Sequence, residues 1–273
     1  MSASASNGRV WLEALTGVRA EASRAPSTVL SIDAPLGDES ARYIAVVPDP
    51  RNRFARARNG EVGVEEGWAL ARTVRHVMDA DRDDCRRPIV AVVDVSSQAY
   101  GRSEELLGIH LACAAAADAY AAARLAGHPV LALLVGKAIS GAFLAHGYQG
   151  NRILALDSPD VSIHAMGRQA AARVTRRSVE ELEQLGERIA PMSYQVRSFA
   201  QLGLLHRLIT VVDAANPTPA DLERVRAGLI ESVGDIRKSP RDLSQRWSNE
   251  AARRMRAASI AVRQRLAEQW NAS

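Results

Sequence analysis

A run of small residues directly follows a strongly apolar segment in the middle of the chain. Residues 129–135 read PVLALLV, which predicts a buried strand, and residues 136–147 read GKAISGAFLAHG, which predicts a turn into a helix. The first backbone N–H groups of a helix have no partner within it, and the helix dipole favours negative charge there. Ser140, Gly141 and Ala142 leave room for a ligand oxygen to approach those groups, which makes all three candidate catalytic residues. The stretch therefore indicates a backbone site for an anionic oxygen.

A second turn lies about one crossover earlier, after the apolar run at residues 88–95. Tyr100, Gly101 and Arg102 form this turn, and an N–H group from it can face those near Gly141. Two N–H groups that converge on one oxygen form an oxyanion hole, in which one donor is typically worth about 10²- to 10³-fold in rate. The alternative is that Gly141 only permits close packing of helix on sheet. The spacing alone leaves both interpretations open.

Three commoner catalytic loops are absent from the sequence. No glycine stands five residues before Gly136, so the segment is not a Walker phosphate loop, and no GxGxxG follows a strand. Ser140 is not flanked as in a GxSxG nucleophile elbow, which favours a helix N-cap role for it at this turn. The six histidines and two cysteines show no metal-binding or redox spacing, so we expect no metal site.

Several side chains beside the two turns are candidates for contact with a substrate. Lys137 could attract a carboxylate, Tyr100 could donate a proton or wall the site, and Arg102 could bind substrate. His164, in the segment SIHAMG, falls near the same edge of the predicted sheet. Solvent-exposed rim positions would also explain the two cations, and a hydrogen-bonded core position would explain the histidine. Only the geometry of the site can separate these roles.

Apolar patterns predict strands that alternate with helices along the chain. The predicted strands are 28–33, 42–50, 88–95, 129–135, 151–157 and 160–167, and the predicted helices are 65–81, 104–127, 178–189, 193–209, 219–233 and 239–270. This alternation predicts an α/β protein with a mainly parallel sheet. Ligands bind beyond the carboxyl ends of such strands, which is where both turns fall.

The chain divides into three predicted parts. Residues 1–26 are expected to form a loose arm, in which Trp11 and Leu12 dock a short helical stretch on a neighbour. Residues 27–235 are expected to form the α/β domain, and residues 236–273 a basic helical extension.

The net charge of +4 comes from the C-terminal segment. Residues 231–273 contain nine Lys and Arg against five Asp and Glu, so the rest of the chain is neutral overall. Without aromatic interleaving or a known motif, this charge does not indicate nucleic-acid binding. No apolar run approaches the roughly 18 residues of a membrane span, and the N-terminus lacks the apolar core of an export signal. We expect a cytoplasmic protein that binds neither nucleic acid nor membrane.

Four segments together resemble the gamma subunit of biotin-independent malonate decarboxylase. They are EVGVEEGWALARTVR at 61–75, AYGRSEELLGIHLA at 99–112, GKAISGAFLAHGYQ at 136–149 and HAMG at 164–167. The resemblance extends from about YIAVVPD to LGLLHRLI, which is most of the chain. It implies the crotonase-like (ClpP/crotonase) fold, a β-β-α superhelix of the carboxyltransferase C-domain type, with oxyanion holes made of backbone N–H groups.

The resemblance also implies a reaction and a set of partners. The family removes CO2 from a malonyl thioester carried on an acyl carrier protein, without biotin and with no cofactor expected on this chain. A homologous beta subunit would bind most of the prosthetic arm, and this chain would add a second hole from Gly101 and from Gly141 with Ala142. The delta subunit, which is the acyl carrier protein, and the alpha subunit, its transferase, are the further expected partners.

Two other functions remain compatible with the same residues. The chain could be the related subunit of a biotin-dependent decarboxylase or carboxyltransferase, where the hole would stabilise the ureido oxygen of biotin. It could also be a scaffold that completes the beta subunit without touching substrate. The small residues Gly101 and Gly141 argue mildly against the scaffold, because large side chains there would have supported it.

Overall fold

Within residues 6–20, 26–81 and 86–271, which this computed structural model describes, seven strands form one sheet. The strands are β1 Val29–Leu36, β2 Glu39–Val46, β3 Ile89–Val95, β4 Val130–Ile139, β5 Arg152–Asp157, β6 Ser162–His164 and β7 Arg207–Thr210. The helices are α1 Asn7–Thr16, α2 Val64–Ala80, α3 Arg102–Leu106, α4 Ile109–Leu125, α5 Ser140–Ala145, α6 Arg168–Thr175, α7 Val179–Arg188, α8 Val196–Gln201, α9 Pro219–Arg237, α10 Gln245–Ser248, α11 Glu250–Met255 and α12 Ala257–Asn271.

The sheet is mainly parallel, as the alternation of strands and helices predicts. Its order is β1-β2-β3-β4-β5-β7, and only the β1–β2 hairpin is antiparallel among the described pairs. The short β6 pairs with the carboxyl end of β4, so that Ile139 lies beside His164. Strands β3 and β4 are buried along almost their whole length, because both faces of a parallel sheet are covered. The sheet therefore presents the carboxyl ends of β3, β4 and β6 together at one edge.

The N-terminal helix is part of the core, which corrects the expectation of an arm that docks on a neighbour. In α1, Trp11 and Leu12 are fully buried within this chain, and the Trp11 Nε1–H donates to the Ala214 carbonyl at 2.7 Å. The Asp94 carboxylate at the end of β3 accepts the Gly8 N–H at 3.3 Å. An acidic group at the start of a helix complements its dipole, so charge and apolar burial together fix α1 on the sheet.

The predicted helix at 193–209 is only partly correct. Helix α8 ends at Gln201, and Gly203 then takes a left-handed conformation with φ of 77°. The chain continues as β7, which pairs in parallel with β5. The apolar residues Leu204, Leu205, Leu208 and Ile209 fit a helix and a strand equally well over so short a run, and the glycine separates the two.

Two other predicted helices are interrupted, and one helix is missed. Gly108, with φ of 80°, separates α3 from α4 within the predicted helix at 104–127. The predicted helix at 239–270 consists of α10, α11 and α12, and no residue of α12 is buried. Helix α6 follows the HAMG segment without an apolar stripe that would have predicted it. Among the described helices, none is both long and apolar enough to cross a bilayer.

Candidate functional site

The two predicted turns face each other at the carboxyl edge of the sheet. Strand β3 ends at Val95, and residues 96–101 lead from it to α3. Strand β4 runs directly into α5, with no intervening loop. Because β3 and β4 are neighbours, the loop after one strand lies against the helix that follows the other.

A hydrogen bond joins these two segments at the predicted anion site. The Gly141 N–H donates to the Gln98 side-chain oxygen Oε1 at a distance of 2.8 Å. A Cβ on Gly141 would lie 3.0 Å from Oε1 and 3.1 Å from Cδ of the same side chain. The Gly141 N–H is therefore directed out of the helix at an oxygen acceptor, and the absence of a side chain lets that acceptor come close. Gln98 now fills the position in which a ligand oxygen would bind this donor.

Ser140 does not cap the helix, which corrects the N-cap interpretation. The N-cap position belongs to Ile139, and Ser140 is the first residue of α5. Its φ is 63°, in the left-handed region that non-glycine residues adopt at a cost of order 1–3 kcal/mol. This conformation turns the chain from strand to helix within one residue. It thereby places the following N–H groups at the sheet edge.

A cavity of about 290 Å³ opens beside this turn. Ser140, Gly141 and His164 contribute to its wall, and the remaining lining is mostly apolar: Phe143, Leu144, Tyr148, Ile163, Ala165, Phe199 and Leu204. The structure therefore brings three of the predicted site residues together. Ala142, directly after Gly141, is fully buried and does not line this cavity.

The other predicted side chains lie outside this cavity. Tyr100 is 40% exposed, and the Arg56 guanidinium stacks over its ring at 5.3 Å. Arg102, the first residue of α3, and Lys137, near the end of β4, are both exposed. These three residues occupy the rim of the same sheet edge. Gly101 caps α3 in an extended conformation, and Glu104 and Glu105 lie in the first turn of that helix, as expected of acids at a helix start.

Sequence reasoning missed two polar residues that organise the edge. Asp94 lies at an irregularity in the pairing of β3 with β4 and accepts the Lys137 N–H at 3.1 Å. A Cβ on Gly136 would lie 2.5 Å from the Asp94 Cγ, so the first glycine of GKAISG makes room for this carboxylate. Gln98 is the second missed residue. Its position in the sequence could have indicated this role, because it is a long polar side chain among the small residues of SSQAYG, the segment that leads into the second turn.

His164 stands half-buried at the end of β6. Its Nδ1 lies 3.1 Å from the Met166 nitrogen and 3.0 Å from the Met166 carbonyl oxygen. The Tyr194 ring stacks on the imidazole at 4.0 Å between centroids. Burial, reinforced by the nearby Arg168 guanidinium, lowers the pKa of His164 below its usual value. The imidazole is therefore neutral at neutral pH.

Comparisons with known proteins agree on one family. A family model described as malonate decarboxylase gamma subunit matches residues 57–270. A chain of a Pseudomonas malonate decarboxylase hetero-tetramer, solved in complex with coenzyme A, is 53% identical, with a TM-score of 0.92 over 97% of this chain and 100% of that one. A chain of the Pseudomonas MdcD–MdcE hetero-dimer is 52% identical, with a TM-score of 0.89 over 97% and 99%.

One relative is named for a different reaction. The malonyl-S-ACP:biotin-protein carboxyltransferase of Malonomonas rubra is 33% identical over 210 residues, which are 75% of this chain and 68% of that protein. The transcarboxylase 12S core, at 19% identity and a TM-score of 0.58 over 79% of this chain and 36% of that one, shares the fold. The expected crotonase-like carboxyltransferase fold is confirmed, and the chain belongs to the malonate decarboxylase gamma subunit family.

Proposed function

We propose that this chain acts with a homologous beta subunit in the cytoplasm to decarboxylate malonyl-S-acyl carrier protein. The products are acetyl-S-acyl carrier protein and CO2, so the complex is a carbon–carbon lyase. The proposal rests on the Gly141 N–H, because this group already donates a hydrogen bond to an oxygen, the side-chain Oε1 of Gln98, at 2.8 Å. A substrate oxygen that displaces Gln98 would meet a donor fixed before the reaction begins.

The reaction needs what this edge of the sheet can supply. When CO2 leaves, the bonding electron pair remains on the thioester as an enolate, and a proton must then add to its α-carbon. Fixed N–H donors stabilise the developing negative charge at little reorganisation cost. The N–H groups of Gly141 and Ala142 belong to the first turn of α5 and thus to the unpartnered set of a helix start. Gly101 on the facing loop is the second proposed source of a donor.

The exposed side chains at the rim have proposed roles that need the partner subunit. Lys137 would attract the malonyl carboxylate, and Arg102 would contact the substrate from the start of α3. Tyr100 would form a wall or donate a proton where the beta subunit closes over the edge. None of the three lines the cavity beside Gly141, so we place their contacts on the partner-facing side of the site.

The proposed complex gives this chain three partners, of which the relatives support the beta subunit. The two Pseudomonas structures are of a hetero-tetramer and a hetero-dimer. By analogy, this chain would pair with the MdcD-type beta subunit and receive its substrate on the arm of an acyl carrier protein subunit. An acyl carrier protein transferase, the alpha subunit, would complete the assembly. This chain would bind no cofactor of its own and reach the coenzyme A-like arm only through the carrier.

One observation favours a second candidate function. The Malonomonas rubra relative is named as a carboxyltransferase from malonyl-S-ACP to a biotin protein. In that reaction the same donors would stabilise the ureido oxygen of biotin while the carboxyl group is transferred. Release of CO2 and transfer to biotin can be distinguished by following the carboxyl carbon.

The test uses the co-purified beta–gamma complex and malonyl-S-acyl carrier protein labelled at the free carboxyl group. We expect the label to appear as CO2 at a rate that added biotin carrier protein does not change, with one acetyl thioester formed for each CO2. The second function would be established instead if the label stayed on the malonyl thioester until biotin carrier protein was added, and was then found on biotin. The isolated chain should show little or no turnover, because half of the site would be missing.

A further inference from the structure

The orientation of the His164 ring is fixed by contacts at one edge and on one face. Its Nδ1 edge faces the backbone of Met166, two residues further along the chain. One face stacks on Tyr194 with an interplanar angle of 16°. Arg168 lies against the Tyr194 ring at 4.5 Å, so that a guanidinium, a phenol and an imidazole are packed together. Among the described residues, none hydrogen-bonds Nε2, although the histidine lines the cavity beside Ser140 and Gly141.

The contacts at Met166 decide which ring nitrogen carries the proton. The Met166 N–H can only donate, and the His164 Nδ1 at 3.1 Å is its sole acceptor in the described residues. The Met166 carbonyl already accepts the Tyr194 hydroxyl at 2.8 Å. With the proton on Nε2, the Met166 N–H donates to Nδ1 and the Met166 carbonyl accepts the Tyr194 hydroxyl, so all three groups have partners. With the proton on Nδ1, the ring could donate to the second lone pair of the Met166 carbonyl at 3.0 Å, but the Met166 N–H would face another N–H and lose its acceptor, which is costly for a half-buried group.

We propose that Tyr194 holds His164 in the neutral Nε2–H tautomer, and that this N–H donates a hydrogen bond to the substrate oxygen on which negative charge develops. The inference rests on the proposed function, since it places the Nε2–H beside the Gly141 donor in one cavity. It makes His164 a catalytic residue and Tyr194 a positioning residue.

The chemistry suits a neutral imidazole. A neutral histidine N–H polarises the carbonyl in other enzymes that form enolates, and burial keeps it uncharged. The hydrogen bond from a neutral donor becomes stronger as negative charge grows on the oxygen. An imidazolium would also bind the carboxylate of the substrate in the ground state, which would oppose its departure as CO2. Loss of one such donor typically lowers the rate by about 10²- to 10³-fold.

The tautomer can be measured without turnover. The complex is prepared with this chain labelled with ¹⁵N-histidine, and the His164 ring signals are identified by their loss in His164→Gln. We expect the ¹⁵N shifts of a protonated Nε2 and an unprotonated Nδ1. In Tyr194→Phe the Met166 carbonyl loses the competing hydroxyl donor and becomes a better acceptor for Nδ1–H, so we expect a mixture of the two tautomers. Tyr43→Phe removes a hydroxyl at the Pro35 carbonyl, far along the chain, and should leave the His164 signals unchanged.

Turnover tests the catalytic part of the inference. We expect His164→Ala to lower kcat about 10²-fold and His164→Gln, whose side-chain amide retains an N–H donor, to recover part of that loss. A wild-type Nδ1–H tautomer, or a Tyr194→Phe spectrum identical to that of the wild type, would overturn the role of Tyr194. Unchanged turnover in His164→Ala would overturn the donor role. A wild-type complex that is inactive on malonyl-S-acyl carrier protein would instead refute the proposed function and leave the tautomer result standing.

Discussion

At the scale of single residues, the proposed site depends on the backbone N–H groups at the start of α5 and on the acceptors that they face. The sequence predicts the turn and its small residues, and the structure confirms that the Gly141 N–H is directed at an oxygen. Gln98 was not predictable as its partner, because 43 residues separate the two and only the β3–β4 pairing brings them together. The left-handed Ser140 was equally hidden, since the strain at this position follows from the abrupt strand-to-helix turn.

Gln98 should compete with substrate for the Gly141 donor. In Gln98→Glu, a carboxylate of the same size would accept the Gly141 N–H, and charge-assisted hydrogen bonds are roughly twice as strong as neutral ones. We expect KM for malonyl-S-acyl carrier protein to rise at least about tenfold. In Gln98→Ala the donor is vacant, and KM should stay equal or fall. Steady-state kinetics of the two complexes provide the comparison, and equal KM values in both variants would contradict the competition.

A buried histidine should make stability depend on pH. His146 is fully buried, with Nδ1 3.0 Å from the Tyr120 hydroxyl and Nε2 3.2 Å from the Val92 carbonyl oxygen. Burial lowers its pKa from 6.5 to about 4. Between these values the unfolded chain binds the proton and the folded chain does not, so stability falls as pH falls through this window. The loss should approach about 1.4 kcal/mol per pH unit, or about 3 kcal/mol in all.

Urea unfolding of the wild type and of His146→Gln at pH 7, 6 and 5 measures this contribution. The variant will be less stable at pH 7, but its stability should fall less steeply with acidification. His128, His164 and His206 also have lowered pKa values, mainly because of burial, and their effects are common to both proteins. Parallel curves for the two proteins would show that His146 does not titrate in this range.

At the scale of the elements, the apolar patterns predict the central strands well and the peripheral helices less well. Strands β3, β4 and β5 were predictable because each is a continuous run of mostly apolar residues, which is typical of a strand buried on both faces. The segment that contains β7 was misassigned because its apolar spacing suits both structures, and its pairing with β5 decides the outcome. The close approach of α2 to α4 rests on small residues, which single-sequence periodicity does not reveal.

The packing of α2 on α4 should be sensitive to a single methyl group. A Cβ on Gly67 would lie 2.7 Å from the backbone carbon and oxygen of Ala112 and 2.9 Å from its Cβ. Since a helix backbone cannot yield as a side chain can, we expect Gly67→Ala to lower the free energy of unfolding by about 1–3 kcal/mol. Gly234→Ala in α9 is the matched control, because no atom lies within 4 Å of its new Cβ. The control should be neutral or stabilising by up to about 1 kcal/mol, as measured by chemical denaturation.

At the scale of the whole molecule, the described residues form one main hydrophobic core, and the proposed site lies at an edge of its sheet. The core includes residues of α1, which the sequence alone assigned to a loose arm. The edge that holds Gly141 has an apolar cavity and an exposed rim. These features are compatible with the proposed active site shared with a beta subunit, and the relatives of this chain are heteromeric.

The burial of Trp11 predicts that the N-terminal helix stabilises the isolated chain. Trp11→Ala should lower the free energy of unfolding by about 3–5 kcal/mol, because a fully buried indole is lost. Trp11→Phe should cost about 1–3 kcal/mol, since it leaves the Ala214 carbonyl without its donor. Denaturation of the chain purified without its partner is the measurement. If both isolated variants were as stable as the isolated wild-type chain but failed to form the complex, Trp11 would contribute to the subunit interface instead.

The account depends most directly on the Gly141 donor, and turnover of malonyl-S-acyl carrier protein by the intact complex tests it. Gly141→Ala would place a methyl group against the position that Gln98 Oε1 now occupies, whereas Gly167→Ala, at the start of α6, adds one in open space. Alanine keeps the backbone N–H, but its methyl group would hold a substrate oxygen away from that donor. We therefore expect Gly141→Ala to lower kcat, by up to the roughly 10²-fold that loss of one such donor costs, and Gly167→Ala to leave it unchanged, with both complexes assembled. Equal turnover in the two variants would contradict the account and make this chain a scaffold for chemistry carried out by its partner.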